Sequence, residues 1–314
     1  MQIIGNLLAY EPSHSAVLTI GSFDGIHRGH QHLLTKLVQR AKETQRLSAV
    51  LTFHPHPEAV VHPEKRPQYL SSPQERTEIF EDLCLDLLFL IPFSQELAQT
   101  SAQDLLTMLH DRLRMREFWV GPDFAMGRDR EGDIATLRHL STEIGYELRV
   151  LSPLCEGGRP ISSTRIRMLL SEGRVRDAAA LLGRPYTISG RVVKGAQRGR
   201  SLGFRTANLE VEPQRALPRR GVYAAWALLH RERQECVVNV GARPTFDDQD
   251  LLVEAHLLDY EGDLYGKELC IEFVRRLRAE KRFSDAGALI DQLRQDVAVA
   301  REILGERQKR AVTP

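Results

Sequence analysis

"AVLTIGSFDGIHRGHQHLL", residues 16–34, joins a short apolar run to a segment of helical spacing through a loop rich in glycine. Leu33, Leu34, Leu37 and Val38 continue that spacing, so the stretch predicts a strand, a loop and a helix. A strand followed by a helix is the opening of a βαβ unit, and parallel sheets bind ligands outside the carboxyl ends of their strands. We therefore predict a ligand site in the loop after this first strand.

The rest of the first half repeats the pattern. Helices are predicted around 73–83, 101–113 and 132–144, and they alternate with apolar strand-like runs such as "DLLFLIPF" and "EFWVG". From about residue 186 the runs become short and β-type, such as "GVYAAWALL" (221–229) and "ELCIEFVRRLR" (268–278). They are separated by Gly, Pro and Asp turns, until a helical stripe begins near residue 284. The sequence predicts an α/β domain with a doubly wound parallel sheet over 1–185. It predicts a small β-barrel or sandwich with a terminal helix over 186–314.

Composition limits the classes of function. Lys and Arg number 43 against 42 Asp and Glu, a formal net charge of +1, which is not the charge of a general nucleic-acid binder. The four cysteines lie far apart, without metal or disulfide spacing, and no apolar segment is long enough to cross a bilayer. We predict a cytoplasmic enzyme acting on small molecules, with neither nucleic acid nor membrane as partner. The oligomeric state is left open.

His27 and His30 lie three residues apart in the opening loop, with Gly29 between them. Imidazoles at this spacing share one face of a helix, and a helix N-terminus offers free backbone N–H groups to an anion. A phosphate is therefore the predicted ligand. The alternative is that His27 is exposed and His30 caps the helix.

Three motifs in order carry a family resemblance. "GSFDGIHRGH" (21–30), "VGPDFAMG" (120–127) and "ISSTRIR" (161–167) resemble the adenylyltransferase half of the bacterial bifunctional riboflavin kinase/FAD synthetase family, a Rossmann-like nucleotidyltransferase domain. The resemblance implies that His27, His30 and Arg167 act on the phosphates during adenylyl transfer. It implies that nucleotide is bound by Gly21, Phe23, Asp24, Gly29, Asp123, Ser163 and Thr164. Asp123 is alternatively an ordinary turn aspartate.

"TFHPHPEAV" (52–60) follows the second strand of the predicted sheet. Its prolines stiffen a loop at the same sheet edge, and two histidines without a third ligand make a poor metal site. The resemblance implies a wall that faces flavin, made of His54, Pro55, His56 and Pro57, although a rigid surface loop also fits. Met126 stands where the family often has an aromatic residue, a departure that affects flavin packing.

"GRVVKGAQRGRSLGFRTANL" (190–209) resembles the family's riboflavin kinase segment, although from its residues alone a barrel loop with basic side chains fits equally well. The resemblance implies a riboflavin-kinase-type barrel, with Mg²⁺ at Thr206 and Asn208. It implies nucleotide contacts at Gly195, Gly199, Arg200 and Gly203. Arg205 replaces a family proline that would restrict the loop, so it loosens the loop and adds a charge.

Three further motifs of the second half complete the kinase resemblance: "NVGARPTF" (239–246), "VEAHLLDYEGDLYGKEL" (253–269) and "FVRRLRAEKRF" (273–283). It implies that Glu254 accepts the proton of the riboflavin hydroxyl, although a glutamate on a polar strand face is also explained by solvation. It implies that Arg278 and Phe283 contact flavin, and the basic start of an amphipathic helix explains both of them nearly as well.

The predicted function is a two-site enzyme. Riboflavin and ATP give FMN and ADP in the barrel, and FMN and a second ATP give FAD and pyrophosphate in the first domain, with Mg²⁺ in both steps. Three alternatives stay open: a monofunctional FAD synthetase with a flavin-binding barrel, a nucleotidyltransferase for phosphopantetheine or glycerol phosphate, and a non-catalytic nucleic-acid adaptor that uses its basic barrel.

Overall fold

A computed structural model describes residues 1–65, 67–195, 204–229, 232–242 and 251–312. The chain divides into two compact units, Met1–Ser163 and Thr164–Pro314. The division falls inside the "ISSTRIR" motif, between its second serine and its threonine. The boundary predicted near residue 185 coincides with the start of the first barrel strand at Tyr186. As a boundary between functional domains it stays a prediction.

The first unit contains a six-stranded sheet in which all neighbouring strands are parallel. Its strands are β1 (Gln2–Ile4), β2 (Ala16–Ile20), β3 (Leu47–Phe53), β4 (Leu87–Ile91), β5 (Met115–Val120) and β6 (Glu147–Val150), in the order β1-β4-β3-β2-β5-β6. The chain moves outward from β2 to β3 and β4, and β5 then pairs with the other side of β2. The direction of winding therefore reverses between β2 and β5, which is where α/β sheets bind ligands.

Helices cover both faces of this sheet, as the predicted doubly wound fold requires. The helices of the unit are α1 (Arg28–Glu43), α2 (Pro57–Val61), α3 (Pro73–Asp82), α4 (Gln95–Ala98), α5 (Ala102–Leu113) and α6 (Ile134–Ile144). Apolar residues of α1 and α3 pack on one sheet face, and those of α5 and α6 pack on the other. A two-stranded hairpin, β7 (Cys155–Glu156) and β8 (Arg159–Pro160), follows the sheet.

The second unit is built around a closed antiparallel barrel, which confirms the barrel over the sandwich. Its strands are β9 (Tyr186–Val193), β10 (Ala207–Glu210), β11 (Gly221–Leu229), β12 (Glu232–Ala242), β13 (Leu251–Leu257) and β14 (Glu268–Arg278), in the order β10-β13-β12-β11-β14-β9. Alternation along the strands directs Tyr186, Tyr223 and Phe273 into the interior, where their rings contact one another.

Three helices accompany the barrel. They are α7 (Ser163–Ser171), which begins at the last residue of the first unit, α8 (Val175–Leu182) and the long α9 (Ala286–Val312). Ala300, Ile303 and Leu304 of α9 pack against the outer side chains of Val222 and Trp226, so the terminal helix covers one side of the barrel. Within the described ranges, no helix has the length and apolar character needed to cross a membrane.

Candidate functional site

The loop after β2 brings the two predicted histidines into direct contact. His27 is the N-cap of α1, and its Nδ1 accepts the backbone N–H of His30 at 3.3 Å. The two rings stack with their centroids 3.7 Å apart, and the ring of Phe23 lies 5.1 Å from that of His30. Gly29 makes this possible, because a Cβ there would lie 3.1 Å from Nδ1 of His27. The predicted shared face is confirmed, and the capping histidine is His27, which is buried.

The environment of the stack determines the protonation state of His30. Burial, followed by the charge of His27, lowers the pKa of His30 well below its usual 6.5, so this ring is neutral at pH 7. Nδ1 of His30 is buried and has no hydrogen-bond partner among the residues the structure describes. An N–H at that position would be unsatisfied, and Nδ1 of His27 is already an acceptor. His30 therefore carries its proton on Nε2 and can donate from it to a phosphate oxygen.

Asp24, predicted to contact nucleotide, is bonded to the backbone of a neighbouring segment. Its carboxylate is 2% exposed and accepts the backbone N–H groups of Leu70 and Ser71 at 2.9 to 3.1 Å. Ser163 donates its hydroxyl to the carbonyl oxygen of Asp24 at 2.9 Å. This hydrogen bond joins the start of the "ISSTRIR" motif to the histidine loop. Asp24 thus anchors the loop to the segment before α3, and its nucleotide contact stays a prediction.

The other predicted nucleotide residues lie in three separate segments of the chain. Gly21 follows β2 directly, and a Cβ there would press against the Phe23 ring at 3.1 Å. Asp123 is exposed in the loop after β5, on the other side of the switch point. Thr164 and Arg167 lie in the first turns of α7, within the second unit, and their contact with nucleotide stays a prediction.

The predicted flavin wall follows β3 at the same edge. His56 N-caps α2 through its Nδ1, which accepts the N–H of Glu58 at 3.1 Å. The backbone N–H of His56 donates to the Tyr69 hydroxyl at 3.1 Å, and Tyr69 also lies 6.1 Å from the His54 ring. The hydrogen bonds of His56 hold the loop in place. His54 and Pro55 are exposed, and His56 and Pro57 are half-buried, so part of the loop surface is open. Its contact with flavin stays a prediction.

In the barrel, the strand register places the predicted kinase residues side by side. Asn208 of β10 pairs with Glu254 of β13, which pairs on its other side with Asn239 of β12. Cross-strand partners point to the same face of a sheet, so the three polar side chains form one row on the outside of the barrel. Sequence reasoning missed Asn239, although the motif "NVGARPTF" contains it.

Asn208 is buried, and the backbone of Gly195 is packed against its amide. A Cβ at Gly195 would overlap that amide, so the glycine is required by a close approach. The predicted residues Gly199, Arg200 and Gly203 lie outside the described residues.

A cavity of about 300 Å³ lies next to Thr206, and its volume is at the lower end of the range for small-molecule sites. Arg205, Thr206 and the segment Tyr260–Tyr265 form its rim, and its apolar wall includes Val192, Ala207, Ala255 and Leu257. Thr206 joins the cavity to Asn208, two residues further along the chain.

Arg205 is the departure from the family pattern. Its carbonyl oxygen accepts a hydrogen bond from Nδ1 of His256 at 2.7 Å, and the His256 ring also contacts Phe204. The loop before Thr206 is therefore attached to β13 even without the proline.

The two residues predicted to close over flavin are in contact. The guanidinium of Arg278 lies 5.8 Å from the centre of the Phe283 ring. It also forms a bidentate pair with Asp296 of α9, with Nη2 to Oδ2 at 2.7 Å. Asp296 is 3% exposed. Sequence reasoning missed Asp296, although a single acid within the apolar stripe of α9 could have indicated a buried partner.

The oxygen donors of Thr206 and Asn208 fit a Mg²⁺ ion that is bound together with a nucleotide. Within the described part of the chain, no three His, Cys, Asp or Glu side chains are grouped as a metal site. The Thr206 hydroxyl and the Asn208 amide oxygen are hard, neutral donors, and the Gly195 backbone packs against that amide. Because Mg²⁺ usually keeps waters and binds substrate phosphates, this pair fits an ion that arrives with a nucleotide.

Comparison with known proteins agrees with this arrangement. The family model for FAD synthetase matches residues 10–165, and the family model for riboflavin kinase matches residues 182–304. The first match contains the histidine loop at the switch point, and the second contains the whole barrel. Together they define the class of the chain, a transferase with an FAD synthetase domain and a riboflavin kinase domain.

Curated relatives extend over nearly the whole chain. The bifunctional riboflavin kinase/FMN adenylyltransferase of Escherichia coli K12 is 36% identical over 300 residues, covering 95% of this chain and 96% of the relative. Those of Pseudomonas fluorescens and Bacillus subtilis are 36% and 33% identical, and cover 96% and 92% of this chain and 98% and 92% of their own. The chain belongs to the bifunctional riboflavin kinase/FMN adenylyltransferase family.

A solved structure shares the fold over the same extent. The crystal structure described as a macrolide-efflux protein from Streptococcus pneumoniae superposes with a TM-score of 0.87 and 29% sequence identity, covering 96% of this chain and 98% of that one. That description applies to the Streptococcus protein alone. The shared fold shows that the two-unit architecture occurs in an experimentally determined structure.

Proposed function

We propose that this enzyme phosphorylates riboflavin to FMN in the barrel and adenylylates FMN to FAD in the first unit, with ATP as co-substrate in both steps. The observation that carries the proposal is the presence of two equipped sites in one chain. One is the stacked histidine pair at the switch point, and the other is the row of Asn208 and Glu254 in the barrel that also holds the cavity at Thr206.

In adenylyl transfer, a phosphate oxygen of FMN attacks the α-phosphorus of ATP, and the bond to pyrophosphate breaks. The attacking oxygen is already ionised at pH 7, so the protein needs to position the reactants and stabilise charge. The imidazoles of His27 and His30 donate to the phosphates, and Ser163, in the "ISSTRIR" motif, bonds to the carbonyl oxygen of Asp24 in the histidine loop. The side chains of Thr164 and Arg167 bind the triphosphate, and Arg167 offsets the charge of the leaving pyrophosphate.

In the kinase step, the riboflavin hydroxyl attacks the γ-phosphorus of ATP, and ADP leaves. This nucleophile is neutral, and the carboxylate of Glu254 takes its proton. Base and ribose of ATP occupy the cavity next to Thr206. Thr206 and Asn208 hold Mg²⁺, which when bound offsets the negative charge of the phosphates. The isoalloxazine lies near Phe283, whose position depends on Arg278 and Asp296.

The flavin wall of the first site is the segment His54–Pro57, which Tyr69 supports through its contacts with His56. The enzyme acts in the cytoplasm, where its four cysteines, all free thiols, stay reduced. Nucleic acid is not a partner, and we expect no electrophoretic shift of DNA or RNA at low salt.

The test is an incubation of purified protein with riboflavin, ATP and Mg²⁺, with the flavins separated over time by chromatography. We expect FMN to appear first and FAD to follow. If riboflavin is unchanged while added FMN becomes FAD, the barrel lacks kinase activity, and the alternative of a monofunctional FAD synthetase is correct. If added FMN is also unchanged, the proposed function is wrong.

A further inference from the structure

A buried arginine lies beneath the two loops that form the adenylyltransferase site. Arg76 is on α3, one turn before Phe80, and only 4% of its surface is exposed. It belongs to none of the sequence motifs described above. A buried guanidinium costs stability unless its charge and its donors are satisfied. Nε of Arg76 has no hydrogen-bond partner among the described residues, so the partners of its two terminal nitrogens indicate what it does.

Those partners are the ends of two neighbouring strands. Nη1 of Arg76 donates to the carbonyl oxygen of Ser22 at 2.7 Å and to the Thr52 hydroxyl at 3.1 Å. Both terminal nitrogens also lie 3.3 Å from the carbonyl oxygen of Phe53. Thr52 in turn donates its hydroxyl to the Ser22 carbonyl at 3.2 Å. One side chain thus joins the loop that follows β2 to the last residue of β3.

The same side chain is linked to the Asp24 anchor. Burial lowers the pKa of Arg76, and the negative charge of Asp24 opposes this shift by favouring the charged form. Asp24 binds the backbone at Leu70 and Ser71, and Tyr69 supports the His54–Pro57 loop. The histidine loop and the flavin wall therefore meet at one buried charge.

We propose that Arg76 is a positioning residue for adenylyl transfer, because it sets the separation between the histidine loop and the His54–Pro57 loop. The inference rests on the proposed function, since these loops are taken to hold ATP and FMN. In-line displacement requires the two reactants in close alignment, and an error of about 1 Å can cost about 100-fold in rate.

The experiment compares Arg76→Met and Arg76→Lys with the matched control Arg46→Met. Arg46 belongs to the same unit and pairs with the buried Glu117 at 2.6 Å, but it precedes β3, at the opposite edge of the sheet. FAD formation from FMN and ATP is measured as kcat and KM for each substrate. Riboflavin phosphorylation by the same preparation and the thermal unfolding midpoint are also recorded.

We expect Arg76→Met to raise the KM for FMN and to lower kcat, by about tenfold each, with unchanged kinase parameters. Arg76→Lys should recover part of both losses, because it restores the charge and one donor. Arg46→Met should leave the KM for FMN unchanged even where it lowers the unfolding midpoint. KM is the discriminating readout, since a smaller fraction of folded enzyme lowers apparent kcat but not KM.

A second variant covers the case in which Arg76→Met does not fold. Thr52→Val removes one acceptor of the guanidinium and the hydroxyl bond to Ser22, and we expect a smaller change in the same direction. If FMN kinetics are unchanged in Thr52→Val and in the Arg76 variants, or change equally in Arg46→Met, Arg76 has only a structural role. If the wild-type protein itself makes no FAD, the proposed function fails instead, which the wild-type assay shows directly.

Discussion

At the scale of the residue, the stacked histidines give the most direct prediction. His30→Ala removes one Nε2–H donor from the adenylyl site, and losing such a donor typically costs about 10²–10³-fold in rate. We expect FAD formation to fall by this amount while FMN formation from riboflavin is retained. Chromatographic rates for both steps check it, and an equal loss of both would contradict separate sites.

The lowered pKa of His30 gives a prediction about stability. The folded chain keeps this ring neutral, whereas the unfolded chain protonates it near pH 6.5. Its contribution to stability is therefore complete above pH 6.5 and is lost as the pH falls below that value, by about 1.4 kcal/mol per pH unit until the folded pKa is reached. We expect the unfolding midpoint to drop more between pH 7.5 and 5.5 in the wild type than in His30→Gln. Equal drops would show that the ring is not held neutral.

Glu254 gives the converse prediction for the kinase site. Glu254→Gln keeps the shape of the side chain but removes the proton acceptor, and general-base catalysis usually contributes about 10²–10⁴-fold. We expect FMN formation to fall accordingly and FAD formation from added FMN to continue. Full kinase turnover in this variant would exclude Glu254 as the base.

At the scale of the element, the contact of β10 with the segment that follows β9 can be tested with two glycines of the same unit. Gly195→Ala places a methyl group in the space of the Asn208 amide, while Gly305→Ala, on α9, has no atom within 4 Å of the added carbon. We expect Gly195→Ala to lower kinase kcat about tenfold by moving Asn208. Gly305→Ala should keep full activity and stabilise its helix by about 0.5–1 kcal/mol. Equal kinase activity in the two variants would remove Asn208 from the site.

Most elements could be predicted because apolar periodicity is a local signal. The strands "GVYAAWALL" and "ELCIEFVRRLR" were predicted with the bounds that β11 and β14 have. The missed strands are short: β1 has three residues, and β10 has four, of which Asn208 and Glu210 are polar. These strands exist because neighbouring strands supply their partners, which sequence periodicity does not reveal.

In the candidate sites, too, the features that are local in the sequence were predicted, and those that depend on distant residues were not. Glycine and histidine motifs are contiguous in sequence, so the histidine loop was predicted. Arg76, Asp296 and the anchoring of Asp24 were not, because a charged residue in a helix or loop is normally predicted to face water. Their partners lie 18 to 54 residues away in the chain. Only tertiary structure shows that these charges are buried and paired.

At the scale of the whole molecule, the two activities should be separable without cutting the chain. Cutting at the division between the units would split the "ISSTRIR" motif after Ser163. The full-length variants His30→Ala and Glu254→Gln suit a mixing experiment better than separate fragments, because each variant keeps one intact site. We expect an equimolar mixture to convert riboflavin to FAD, while each variant alone converts it far more slowly. If the mixture makes FMN but FAD no faster, FMN does not pass between molecules through solution.

The closure of the barrel depends on β10, its shortest strand, which pairs with β9 on one side and β13 on the other. Without that pairing, β9 and β13 would each present a row of unpaired N–H and C=O groups, the kind of edge at which chains aggregate. Asn208 is one of the four residues of this strand. Substitutions that weaken β10 should therefore reduce the yield of soluble protein together with FMN synthesis, so selection for one property at this strand also preserves the other.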